Sequence, residues 1–146
     1  MKLGKLVNLD LHVDDRGCLS EIIRSDTQFF KGFGQVYIIK NEQPNVIRAF
    51  HMHKRKEDYF FISNGKALVI LVDATDAGNH IERYVLDSQK PQFLVIPKGV
   101  YHGWMSLVPN THLINVVTEP FHKEDADDNR VPHDEFGSDV WEIKYK

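Results

Sequence analysis

Apolar runs only six to nine residues long, cut off by Gly, Pro, Asn or Asp, set the tightest limit on what this chain can fold into. They are "GQVYIIK" (34–40), "VIRAFHM" (46–52), "DYFFIS" (58–63), "KALVILVD" (66–73), "IERYVLD" (81–87), "QFLVIP" (92–97) and "HLINVVTEP" (112–120). They are rich in branched and aromatic residues and show no helical period. Short strands at such spacing predict an antiparallel sandwich or small barrel, not βαβ units with their long helical crossovers. Asn64–Gly65 lies between two runs and reads as a two-residue hairpin turn, and "DATDAGNH" (73–80) as a longer polar loop. There is no repeat, low-complexity tract or linker, and 146 residues suffice to bury one core, so residues 1–146 form a single domain. From about residue 120 to 146 the chain turns acidic and loses strand pattern. By composition this tail is solvated and partly mobile, although Phe136, Val140 and Trp141 predict that its end packs onto something.

A formal charge of −3 and a pI near 6.2 leave no basic face broad enough for a nucleic-acid backbone, so nucleic acid is not an expected partner. Cys18 is the one cysteine, which rules out an intrachain disulfide. No apolar run nears the ~20 residues of a membrane span, and "MKLGKLVNLDLHVDDRG" turns polar too early for a signal peptide. A cytoplasmic protein with no membrane partner is the default expectation.

Chemistry is concentrated in "RAFHMHKRKEDYFF" (48–61) and "IPKGVYHGW" (96–104). Side chains alternate faces along a strand, so His51 and His53 point the same way. Pro97-x-Gly99 is a turn that delivers His102 onto a following strand. Three imidazoles brought together can share a metal, a proton or a substrate oxygen; the bland alternative is three packed or exposed histidines. A metal site would take His51, His53 and His102 with Glu57 or Asp58, a ligand set suited to Zn, Mn, Fe or Ni. The remaining histidines, His12, His80, His112, His122 and His133, lie in polar surroundings and read as surface residues.

HxH, a carboxylate a few residues on, a turn glycine (Gly65) and then PxGxxH resemble the two halves of a cupin motif. Further marks narrow the resemblance to the RmlC-like branch, the dTDP-4-dehydrorhamnose 3,5-epimerases and the 3,4-ketoisomerases of 4-keto-6-deoxy nucleotide sugars. "DDRGCLSEI" (14–22) resembles the family's opening motif. Gln35 stands sixteen residues before His51, and Arg48 three before it. "HMHK" resembles the ketoisomerases' H-A-H-K, and the tail from Thr118 to Glu142 resembles the family's closing Y-x-P…G-x-x-W segment. The resemblance covers residues 8–142 and implies an all-β cupin jelly-roll barrel, commonly a homodimer.

It also implies a metal-free site without cofactor, acting on a dTDP-4-keto-6-deoxyhexose. A base removes the C3 proton beside the C4 ketone, and the resulting enolate or enediolate must be stabilised. By position His51 matches the base, with His53 and His102 as donors or acids around the sugar oxygens. Arg16 and Arg48 match residues that hold the diphosphate, and Gln35 lines the nucleotide-sugar cleft. Tyr37 falls on the same strand face as Gln35, and Asn115 takes the place of the epimerases' acid tyrosine. No counterpart is expected for the epimerases' lysine, for that tyrosine or for their aspartate. The reaction expected is therefore 3,4-ketoisomerisation in preference to 3,5-epimerisation; a metal-dependent cupin enzyme and a non-catalytic sugar-nucleotide binder are the alternatives. One tension stands out. A regular strand over 47–53 puts Arg48 on the face opposite His51, and Ala49, where the family carries glycine, makes a corrective bulge costly.

Overall fold

The computed structural model describes residues 2–75 and 78–144. Two antiparallel five-stranded sheets face each other. The first has the order β1 (Lys5–Asn8), β9 (Gln92–Ile96), β6 (Asp58–Asn64), β11 (Thr111–Val117) and β4 (Gln35–Asn41). The second runs β12 (Asn129–Arg130), β5 (Ile47–Met52), β10 (Tyr101–Ser106), β7 (Lys66–Asp73) and β8 (His80–Asp87). A separate hairpin pairs β2 (His12–Asp14) with β3 (Gly17–Leu19). The expected jelly-roll sandwich is present, and every predicted run coincides with a strand.

Both faces of the central strands are covered, which is why "KALVILVD" is continuously apolar instead of alternating. Ala67, Val69 and Leu71 join Phe60, Ile62, Leu94, Leu113 and Trp104 between the sheets. Leu68, Ile70 and Val72 face outward, under Phe50, Val140 and Trp141. The outer face of the first sheet, Tyr59, Phe61, Phe93 and Val95, is covered by Ile22, Ile23, Phe29 and Phe30. At about 25 cal/mol per Å² of apolar surface removed from water, this double coverage is the main stabilising term.

Two expectations need correction. Asn64–Gly65 does turn the chain, with Gly65 at φ +83°, but β6 and β7 do not pair as a hairpin. β6 pairs with β9 and β11, whereas β7 pairs with β8 and β10, so this turn is the corner where the chain passes from one sheet to the other. The tail is mostly irregular as expected but is not simply solvated. Its β12 adds to the edge of β5, and the Trp141 ring lies 5.2 Å from Phe50 while its indole N–H donates to the His133 carbonyl at 2.8 Å. The 73–80 loop joins β7 to β8, and its Asp76 and Ala77 lie outside the described residues.

Candidate active site

Inward-facing side chains alternate along each strand, and at one end of the sandwich the inward positions turn polar. On β4 these are Gln35 and Tyr37, on β6 Asp58, on β10 His102, and on β11 Asn115. Between the sheets they line a cavity of about 650 Å³ together with Arg48, His51, His53, Lys56, Phe60, Phe121, Asp128 and Arg130. That volume lies within the range of small-molecule sites.

The parity conflict on β5 is resolved by a slip in register. His51 pairs with His102 but Arg48 pairs with Trp104, so three steps along β5 oppose two along β10. The extra residue turns Phe50 outward onto Trp141 and lets Arg48 and His51 border one cavity. Ala49 was expected to hinder this. The space comes instead from Gly103 across the ladder, where a Cβ would stand 2.3 Å from the Ala49 Cβ and 3.0 Å from the Arg48 carbonyl oxygen. Arg48 is anchored through its Nε–H, which donates to Asn41 Oδ1 at 2.7 Å.

The histidines have distinct surroundings. His51 Nδ1 lies 2.9 Å from Asp128 Oδ1, and Asp128 also accepts from Arg130 at 2.7 Å. Burial alone would raise the Asp128 pKa, but the hydrogen bonds from Arg130 and His51 outweigh it and bring it down to about 2. The carboxylate therefore holds a proton on Nδ1 of His51, which leaves Nε2 as a lone pair. His53 Nδ1 meets the Asp127 carbonyl, and His102 Nδ1 meets the Val100 carbonyl at 3.1 Å. A carbonyl only accepts, so both rings carry their proton on Nδ1 and present Nε2 lone pairs. Those nitrogens face Asp58 Oδ2 at 3.6 and 3.8 Å. Burial lowers the His102 pKa to about 4 and also lowers that of His53. Burial raises that of Asp58. The expectation that His53 and His102 act as donors or acids is thus corrected: as neutral rings they accept hydrogen bonds.

The two halves of the histidine motif are tied together through backbone. Gly99, at φ +81° in the Pro97-x-Gly99 turn, donates its N–H to the His53 carbonyl at 2.7 Å. The tail clamps the other side, where Asp127 accepts from the Lys54 and Arg55 amides at 2.8 and 2.7 Å.

Of the residues expected at the site, His51, His53, His102, Gln35, Tyr37, Arg48 and Asn115 all border the cavity. Arg16 does not. It sits at the tip of the β2–β3 hairpin with its side chain 86% exposed and paired to Asp14 at 2.5 Å, because the turn projects away from its own barrel. Asn115 is buried, and its amide hydrogens go to Tyr37 Oη and Asp58 Oδ1, both at 2.7 Å. It braces those groups and has no hydrogen left for a sugar. Burial, with the nearby Asp58 charge, pushes the Tyr37 hydroxyl up to about 12, so it stays protonated. Glu57 is excluded as the carboxylate of the cluster, since it accepts from Tyr59 Oη at 2.9 Å and does not line the cavity. His53, Asp58 and His102 each offer one atom within 4.8 Å of the others, a metal-compatible trio from which His51 is diverted by Asp128.

Two expected absences are also corrected. A carboxylate partner for the base histidine exists in Asp128, and a lysine does reach the cavity in Lys56, although not from strand β6. Neither stood out in the sequence. "DADDNR" reads as a solvated acidic run and "KRKED" as a charged loop, and only the pairing of β12 with β5 brings Asp128 to His51.

Comparison with known proteins agrees with this geometry. Residues 4–143 match the family described as dTDP-4-dehydrorhamnose 3,5-epimerase. The chain is 35% identical over 136 residues to the spore coat polysaccharide biosynthesis protein SpsL of Bacillus subtilis (strain 168), covering 90% of this chain and 89% of the relative. It is 36% identical over 99 residues to the TDP-4-oxo-6-deoxy-alpha-D-glucose-3,4-oxoisomerase of Aneurinibacillus thermoaerophilus, covering 68% and 67%. Its fold superposes with a TM-score of 0.83 on a dTDP-4-dehydrorhamnose 3,5-epimerase from Bacillus anthracis str. Ames, at 24% identity and covering 97% of this chain and 86% of the other. Motifs, fold and matched length together establish that the chain belongs to the dTDP-4-dehydrorhamnose 3,5-epimerase family of dTDP-sugar epimerases and isomerases.

Proposed function

We propose that the protein is a nucleotide-sugar isomerase acting on a dTDP-4-keto-6-deoxyhexose, with His51 as the base that removes the C3 proton. The observation that carries this reading is the Asp128–His51 pair on the wall of a sugar-sized cavity. The carboxylate orients the ring and stabilises the imidazolium formed when Nε2 takes a proton, as in other carboxylate–histidine pairs. His53, His102 and Tyr37 face the same space, the first two as acceptors for sugar hydroxyls and the third as a protonated hydroxyl.

Between the two family reactions, 3,4-ketoisomerisation is favoured. Epimerisation needs an acid across the ring from the base, and the amide at position 115 has spent its hydrogens on Tyr37 and Asp58. Moving a proton from C3 to its neighbour along one ring edge needs only adjacent proton carriers such as His51 and His53. The 3,4-oxoisomerase relative is in keeping with this choice.

The test is proton NMR of dTDP-4-keto-6-deoxyglucose incubated in heavy water. The expected result is loss of the C3 proton signal and appearance of a 3-keto product with wild type, and neither with His51→Asn. Exchange at both C3 and C5 would make the protein a 3,5-epimerase. No exchange at all would leave a sugar-nucleotide binder.

The buried His53–Asp58–His102 trio favours a second reading, a divalent ion bound at their facing atoms. Stoichiometric metal in protein purified without an affinity tag, lost in His53→Ala, would establish it.

We also infer a homodimer, in which Arg16 serves the cavity of the second copy. The β2–β3 hairpin pairs with no other strand among the described residues, and its Val13 and Leu19 are exposed. β4 ends its sheet with Val36 and Ile38 exposed, an unpaired apolar edge. Mixing Arg16→Ala with His51→Asn protein should then restore activity, because exchanged dimers hold one intact site. Light scattering that reports a monomer would overturn the inference.

A further inference from the structure

Three cationic side chains border the cavity, and they differ in depth and in partners. Arg48 is exposed and tied by its Nε to Asn41, and Arg130 is 69% exposed and paired with Asp128. Lys56 is only 7% exposed, in the connection between β5 and β6. Among the described residues its ammonium has no carboxylate within 4.0 Å and no hydrogen-bond acceptor. No side-chain nitrogen sealed from solvent lacks a partner, so this ammonium opens on the cavity that Lys56 lines. Burying a charge without a partner is costly, and an unpaired buried cation marks a place where an anion enters or forms.

Its neighbours say which kind of anion. Lys56 lies near His53, His102 and Asp58, and its charge disfavours protonation of all three. The exposed arginines suit a diphosphate that is charged from the start and stays near water. The buried lysine sits among the imidazoles, at the reacting end of a bound sugar, where charge exists only during the reaction.

Resting on the C3-deprotonation reading above, we propose that Lys56 is a further catalytic residue, the donor that meets the oxyanion formed on the substrate's C4 oxygen. The Nε2 lone pair of His51 takes the C3 proton, the C–H electron pair becomes the C3–C4 double bond, and the carbonyl π pair moves onto oxygen. Lys56 hydrogen-bonds that oxygen and keeps its own proton, so neutral imidazole plus ketone become imidazolium plus enolate with no co-reactant. Reprotonation returns the electron pairs. A preorganised donor at a forming oxyanion acts on the transition state far more than on the bound ketone.

The experiment measures C3 deuterium exchange of dTDP-4-keto-6-deoxyglucose for wild type, Lys56→Met and Lys56→Arg, with dTDP affinity and thermal unfolding measured on each. Lys56→Met is expected to lower the saturated exchange rate about 100- to 1000-fold. KM should move less than threefold, dTDP affinity should be unchanged, and Lys56→Arg should recover part of the rate. If Lys56→Met fails to fold, Lys56→Gln carries the same test. Exchange at the wild-type rate in the charge-free variant overturns the proposal while the isomerase reading stands. So does a raised KM with the saturated rate intact, which would make Lys56 a binder of a permanent substrate anion. Absence of exchange in wild type itself would remove the isomerase reading and this proposal with it.

Discussion

Acidification should unmask His102. It is 4% exposed, its Nδ1–H is fixed on the Val100 carbonyl, and burial brings its pKa down to about 4 from the 6.5 of a free imidazole. Above pH 6.5 the ring is neutral in both folded and unfolded chains, and it contributes no pH dependence. As pH falls from 6.5 towards 4 the unfolded chain takes up a proton that the folded chain refuses, so stability is lost through that window. At 1.36 kcal/mol per pKa unit the loss comes to about 3 kcal/mol. Asp58 works in the opposite sense. Its raised pKa makes the folded state bind a proton above pH 3.8, so acidification relieves part of its cost. Comparing wild type with His102→Gln separates the two, because Asp58 is present in both. In urea unfolding of EDTA-treated protein at pH 7, 5.5 and 4, wild type should lose about 3 kcal/mol more than the variant, whatever their difference at pH 7. A histidine proton titration by NMR should show one imidazole still neutral near pH 5. Parallel losses in the two proteins, with every imidazole titrating near 6.5, would refute the argument that burial holds this ring neutral.

Other perturbations probe how the site is assembled. Asp128→Asn removes the acceptor that fixes the His51 tautomer. It should lower C3 exchange by about 10³- to 10⁴-fold with little change in dTDP affinity, read by NMR and calorimetry. Gly103→Ala puts a methyl group 2.3 Å from the Ala49 Cβ and should cost about 1–3 kcal/mol in urea unfolding, part of which Ala49→Gly in the same chain returns. Trp141→Ala empties the space against Phe50 and frees the tail that carries Asp127 and Asp128. Stability should fall by about 3–5 kcal/mol, with C3 exchange falling alongside it.

What the sequence made legible follows from how far each signal reaches along the chain. The strands were readable because pleat and burial act locally: a run such as "KALVILVD" declares a doubly covered strand without reference to its partners. His51, His53 and His102 were readable because strand parity and a Pro-Gly turn fix their directions within a few residues. Arg48 was misjudged for a related reason. Parity was applied correctly, but the residue that breaks it, Gly103, lies on another strand, and no local rule couples position 103 to the bulge at 49. The Asn64–Gly65 corner shows the same limit, since a turn residue reveals that the chain bends but not which sheet receives it.

Asp128 and Lys56 mark the limit more sharply, because each looks like what it is not. A carboxylate in "DADDNR" reads as solvated until β12 pairs with β5 and sets it 2.9 Å from a histidine 77 residues away. Lys56 reads as one charge in "KRKED" until the tail clamps the adjoining loop through Asp127. The same acidic segment that composition marks as mobile therefore gives His51 its partner and fixes the loop carrying Lys56. Trp141, the one tail residue whose packing was predictable, is what makes this possible: burying it against Phe50 anchors a chain end rich in like charges that would otherwise favour water. Stability of the tail and competence of the site are then a single property, and a lesion at Trp141 should be felt at His51 although the indole does not line the cavity.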